Sequence, residues 1–141
     1  MNINQILTSE RGSVVAPAGC GKTQLIIAAL NNPHNKPILV LTHTTAGVAA
    51  LKKRLRKFKV ANQNFVVTTI DGWALRVAHT FAVSCRMHSS AESPKLFYPE
   101  MRRVVNSFVA SGALSKILKA SYSRLYVDEY QDCNMDQHQL I

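Results

Sequence analysis

The chain has 141 residues, one domain's worth, and with 47% hydrophobic and 18% charged residues its composition excludes a disordered tail. No apolar run reaches the length that a bilayer requires, and three scattered cysteines without a C-x-x-C pair exclude a disulfide framework. The formal net charge of +9, from 17 basic against 8 acidic residues, suits either a polyanionic partner or plain solubility. The N-terminal "MNINQILTSERG" lacks the basic start and long apolar stretch of a secretion signal, so the expected location is cytoplasmic.

In chain order, short apolar runs alternate with helical patterns, which predicts an α/β fold with a largely parallel sheet. Residues 13–16 read as a first, β-branched strand. A glycine-rich turn follows, then a helix from Lys22 through Leu25, Ile26, Ile27 and Leu30 that closes before Pro33. Pro37 introduces a second strand over 38–42. Val48, Leu51, Leu55 and Phe58 recur at helical spacing and predict a helix over 45–59; 65–68 is a third strand. Ile70, Trp73, Val77 and Phe81 mark one face of a helix over 70–81. The Ser-rich stretch 82–94 reads as a loop, 99–110 as a helix closed near Gly112, and 114–120 as a shorter helix. Residues 124–127 form a fourth strand, and "MDQHQLI" begins another helix.

Two stretches carry chemistry. "VVAPAGCGKTQLI" has the strand–turn–helix context of a phosphate-binding loop, with Ala16 where G-x-x-x-x-G-K-[ST] asks for its first glycine. Backbone N–H groups of such a turn and of the first helical turn converge on phosphate oxygens, and Gly19 and Gly21 permit the bend. Lys22 can reach the β- and γ-phosphates, and Thr23 can offer its hydroxyl to Mg²⁺. A glycine turn before an ordinary helix, with Lys22 merely exposed, is the alternative. Downstream, "RLYVDEYQD" is an apolar strand ending in an acidic pair. Asp128, Glu129, Asp132 and Asp136 are half of the chain's 8 acids. A strand-end aspartate in this context holds Mg²⁺, and the adjacent glutamate can deprotonate the attacking water. His79, Cys85 and His88 match no standard zinc spacing. "KKRLRKFK" places Lys52, Lys53, Arg54, Arg56, Lys57 and Lys59 together, either as the solvated face of a helix or as a surface that tracks a phosphate backbone.

At these residues the sequence resembles the UvrD/Rep-like superfamily 1 DNA helicases. "APAGCGKT" is similar to their motif I, in which Ala commonly replaces the first glycine, and "DEYQD" to their motif II. "LVLTHTTAGVAALKKRL" is similar to motif Ia and "VTTIDGWALRVA" to motif Ib, while Gln5 resembles the Q motif that reads adenine. The resemblance covers nearly the whole chain. It departs at His43, where the family often has an aromatic, and at Ile70-Asp71, where Phe-His is frequent.

The resemblance implies a P-loop NTPase (RecA-like) parallel sheet flanked by helices. Residues 1–141 would be the N-terminal part of the ATP-binding domain, with a reduced helical insertion at about 82–120. It implies ATP and Mg²⁺ as cofactors, bound through Gln5, Ala18, Gly19, Cys20, Gly21, Lys22, Thr23 and Gln131, with Thr23 and Asp128 on the metal. Lys22 and Glu129 would be catalytic, Glu129 as the base. His43, Thr44, Thr45 and Trp73 would meet DNA, either a single strand or a junction. The motif III strand and the C-terminal helicase domain, which the family places after motif II, would lie outside these residues. The expected activity is ATP-dependent translocation on single-stranded DNA, with little unwinding by this portion alone. A non-catalytic nucleotide- or DNA-binding module is the alternative.

Overall fold

The computed structural model describes residues 3–17, 19–32 and 34–141. Three strands, β1 (Ile38–Thr42), β2 (Phe65–Thr69) and β3 (Arg124–Asp128), form a parallel sheet in the order β2-β1-β3. The pairing is in register from end to end: Thr42 sits opposite Thr69 on one side and opposite Asp128 on the other. All three carboxyl ends therefore open at one edge of the molecule.

β1, "ILVLT", is buried along its whole length, as expected of a parallel strand covered on both faces. Its side chains alternate between two cores. Ile38 and Val40 pack with Val67 of β2 and with α2 (Lys22–Leu30) and α3 (Thr45–Lys57), through Ile27, Leu30, Leu51 and Leu55. Leu39 and Leu41 face the opposite side. There they meet α4 (Ile70–Thr80) and α5 (Pro94–Ala110) through Ile70, Trp73, Val77, Met101 and Val105, and α7 (Met135–Leu140) through Leu140. The architecture is thus α/β: a small three-stranded parallel sheet flanked by helices. No helix among the described residues is long and apolar enough to cross a membrane.

Several sequence expectations are corrected. Residues 13–16 form no strand, although Val14 and Val15 are β-branched; Val15 is 90% exposed and has no neighbouring strand to pair with. Pro33, the expected helix stop, lies outside the described residues. The helix predicted over 99–110 begins five residues earlier, at Pro94 in the first-turn position where a missing N–H costs nothing. It then runs through Pro99, giving up one backbone hydrogen bond there. Gly112, at φ 77°, closes it as expected. Two short helices were not anticipated or were shifted: α1 (Ile3–Thr8), which packs on α2, and α6 (Ser115–Ser121). Trp73 is only 5% exposed and fills the core under α4, which leaves no ring face for a nucleic-acid base.

Polar contacts tie α5 to α4 and to the loop that precedes α5. Arg102 of α5 donates from Nε and Nη2 to the two carboxylate oxygens of Asp71 on α4, each at 2.7 Å. Burial alone would raise the Asp71 carboxyl; the bonds and charge of Arg102 outweigh it and hold the group below its ordinary value. Glu100 accepts from the backbone N–H groups of His88 and Ser89 at 2.9 and 2.7 Å, which ties the preceding loop to α5.

Both β-to-α turns at the open edge use the same device. Thr44 caps α3 by accepting from Gly47 N–H at 3.0 Å, and Thr69 caps α4 by accepting from Gly72 N–H at 2.9 Å. Glycine is required at the third helical position because a Cβ on Gly47 would lie 2.5 Å from Thr42 Oγ1, and one on Gly72 2.8 Å from Thr69 Oγ1. Gly47→Ala is therefore expected to destabilise the chain by about 1–3 kcal/mol through this overlap. Denaturant unfolding with intrinsic tryptophan fluorescence would measure it, and an unchanged midpoint would remove the steric account.

Candidate nucleotide site

The site is assembled where the carboxyl ends of the strands meet the start of α2. The loop before α2 turns through Gly19 at φ 80° and Gly21 at φ 81°, both in the left-handed region that favours glycine. Cys20 N–H closes the turn on Pro17 O at 3.2 Å. Gly21 then serves as N-cap of α2 and brings no side-chain acceptor, so the first N–H groups of the helix are left for an outside acceptor. Lys22 reaches back over the loop and donates from Nζ to Ala16 O at 2.7 Å and to Pro17 O at 3.3 Å.

A cavity of about 240 Å³ opens beside the first turn of α2, reaching it at Thr23, while Lys22 and Gln131 lie outside its lining. Thr23 of α2, Thr42 at the end of β1, His43, Thr44, and Asp128 and Glu129 at the end of β3 all line it, as does Asp132. Residues separated by more than a hundred positions thus converge through the in-register sheet. The volume suits a phosphate chain with a metal ion rather than a whole nucleotide, whose pockets start at roughly 300 Å³. A second cavity of about 390 Å³ lies away from the sheet edge, between the loop after α4 and α5, with Arg86 as its one charged lining residue.

The electrostatics favour a cation. Asp128 is half-buried, and burial followed by the neighbouring Glu129 charge raises its carboxyl above the ordinary value; the backbone N–H of Glu129 and the charges of Arg54 and Lys22 offset this in part. Glu129 adopts φ 55° and ψ 45°, a left-handed conformation that costs a non-glycine residue about 1–3 kcal/mol and recurs at functional sites. The turn that follows, Tyr130–Asp132, carries Gln131, whose Nε2 donates to Glu129 Oε2 at 2.5 Å. Gln131 therefore orients the glutamate. Thr23 and Asp128 would supply one hydroxyl and one carboxylate to Mg²⁺, which fits an ion that keeps most of its shell as water and phosphate oxygens.

The remaining expected residues are placed as follows. Ala18 lies outside the described residues. Gly19 and Cys20 are exposed on the loop, and Gln5 is exposed on α1, outside the cavity lining. His43 presents a buried Nδ1 with no hydrogen-bond partner among the described residues. Thr44 and Thr45 are exposed at the start of α3, with Thr44 Oγ1 already serving as the helix cap. Thr42 also lines the cavity and was not singled out in the sequence, while Arg54 and Asp132 were visible there only as members of the basic run and the acidic cluster. Helical spacing from Gly47 was the one signal that could have singled out Arg54.

The raised Asp128 carboxyl has a defined consequence for stability. An acid whose folded pKa is raised binds more protons folded than unfolded, so it costs stability as pH climbs from its unfolded value through its folded one. Asp128→Asn is expected to raise the melting midpoint at pH 7, and the gain should vanish below about pH 4, near the unperturbed value of 3.8. Thermal melts of both chains across pH would check this; a gain that persists at pH 3 would show another cause. Set against protein-family models, curated proteins and solved structures, the chain matches none.

Proposed function

We propose that the chain is the ATP-binding portion of a DNA helicase of the UvrD/Rep-like kind, with the RecA-like P-loop fold, in which ATP hydrolysis drives movement along single-stranded DNA. The observation that carries the reading is the meeting of Thr23, Asp128 and Glu129 in one cavity beside a loop whose two glycines adopt left-handed backbone. A phosphate loop without an acidic strand end, or the reverse, is common; their convergence is what Mg²⁺–nucleotide hydrolysis needs.

In this reading the N–H groups of the loop and of the first turn of α2 hold the phosphates. Lys22 exchanges its bonds to Ala16 O and Pro17 O for phosphate oxygens. Thr23 and Asp128 hold Mg²⁺, which draws charge from the phosphates. Glu129, oriented by Gln131, accepts a proton from the attacking water. Single-stranded DNA would run past the start of α3, near His43, Thr44 and Thr45. In this reading the further strand that the resemblance implies would pair along the outer edge of β3, where Leu125 is 42% exposed. A C-terminal helicase domain would supply the remaining transition-state charge.

A second reading, a nucleotide- or DNA-binding module without turnover, is favoured by two features. Residues 13–16, which lead into the loop, join no strand, and Lys22 spends its donors on the loop's own carbonyls.

The two readings separate on DNA-stimulated ATP hydrolysis by the longest polypeptide that carries these residues. Glu129→Gln is expected to lower the rate by about 10²–10⁴-fold while ATP binding persists. Binding without any stimulated hydrolysis in the unaltered protein would favour the module, and an unchanged rate in Glu129→Gln would remove Glu129 as the base.

A further inference from the structure

The basic run 52–59 is not one surface. Arg54 lies on the face of α3 defined by Gly47, Ala50 and Leu51, at the i, i+3, i+4, i+7 spacing of a single helical stripe, and all four residues line the cavity. Lys52 and Arg56, two positions to either side, are turned roughly 160° away around the helix, and Lys53 roughly 100°. The stripe is built from small side chains above the arginine, so Gly47 and Ala50 leave the cavity open along the wall that ends at Arg54.

Arg54 is also uncommitted. Among the described residues the single ion pair is Arg102–Asp71, and the side chain of Arg54 makes no hydrogen bond, although Asp128, Glu129 and Asp132 share its cavity; its backbone carbonyl accepts from Phe58 N–H. Its charge nevertheless acts on Asp128, alongside that of Lys22. Lys22 approaches from the first turn of α2, and Arg54 from α3. A phosphate entering beside Asp128 would meet a cation from each of the two helices.

We propose that Arg54 is the second phosphate-binding cation of this site and contacts the terminal phosphate of a bound nucleoside triphosphate, so that the site distinguishes triphosphate from diphosphate. The proposal rests on the nucleotide-site reading above and adds to it a residue that the basic run conceals. A guanidinium suits the task because its planar fork meets two phosphate oxygens at once and keeps its charge at any working pH. A diphosphate held by the loop would leave that fork without its partner.

The test is calorimetric titration of the 141-residue chain with ATP and with ADP, each with Mg²⁺, for the unaltered protein, Arg54→Ala and Arg54→Lys. Arg54→Ala is expected to weaken ATP binding about tenfold or more, the loss of a charge-assisted contact, and to leave ADP binding within about twofold. Arg54→Lys, which keeps the charge and loses the fork, should fall between. Arg54 is exposed, and matching melting midpoints would establish that the variants are folded. An unchanged ATP-to-ADP ratio in Arg54→Ala overturns the proposal. If that variant instead lowers the salt slope of single-stranded DNA binding by about one at an unchanged ratio, Arg54 belongs to the polyanion surface. Failure of the unaltered chain to bind either nucleotide would overturn the nucleotide-site reading itself, whereas binding with an unaffected ratio overturns only the role of Arg54.

Discussion

The in-register pairing of β1 with both of its neighbours is the constraint on which everything else depends. Because Thr42 faces Thr69 and Asp128 in one row, three turns from distant parts of the sequence leave the sheet at a common edge. Parallel sheets bind ligands at their carboxyl ends for this reason: the strands bring the turns together, and the turns carry the chemistry. A slip of one residue in β3 would send Asp128 to the opposite face of the sheet and dissolve the cavity. The complete burial of β1 fixes that register, since each alternate side chain is committed to one of two cores.

The turns themselves repeat a solution. At the ends of β1 and β2 a threonine caps the following helix and a glycine three residues later lets the helix start close against the strand. At the end of β3 the chain instead takes a left-handed step at Glu129. The two regular turns are stable frames, and the strained one holds the acidic pair. Farther from the edge, Asp71 and Arg102 join α4 to α5, so a carboxylate two residues past the Thr69 cap ties the long helix α5 to the turn that follows β2.

Much of this was legible in the sequence, for identifiable reasons. β1, β2 and β3 were readable because runs such as "ILVLT" and "FVVTT" are apolar and β-branched and are flanked by turn residues. The run at Val14-Val15 has the same local character, yet a strand exists only when another strand lies beside it, and no local pattern reveals that. Pro99 looked like a helix start because proline favours that position, but Pro94 already occupies it. α1 went unseen because six residues without an acidic first turn give little signal. Of the site, the loop glycines, Lys22, Thr23, Asp128 and Glu129 were visible as motif residues. Trp73 could be read either as a stacking platform or, more often for a tryptophan on a helical face, as core, and its burial decides for the core. Arg54 was hidden by its neighbours, since charge runs are read by composition and only a known cavity assigns them a direction.

The open side of β3 has a further consequence for the free chain. Among the described residues no strand pairs with the outer edge of β3, where Leu125 is exposed, and such an edge is a template for pairing with another copy. Mutual repulsion between molecules carrying +9 each opposes that encounter. The same surplus of positive charge that would draw in a polyanion thus also acts as a spacer between copies. Added salt weakens both roles together, loosening the grip on a nucleic acid while it brings the bare strand edges within reach of one another.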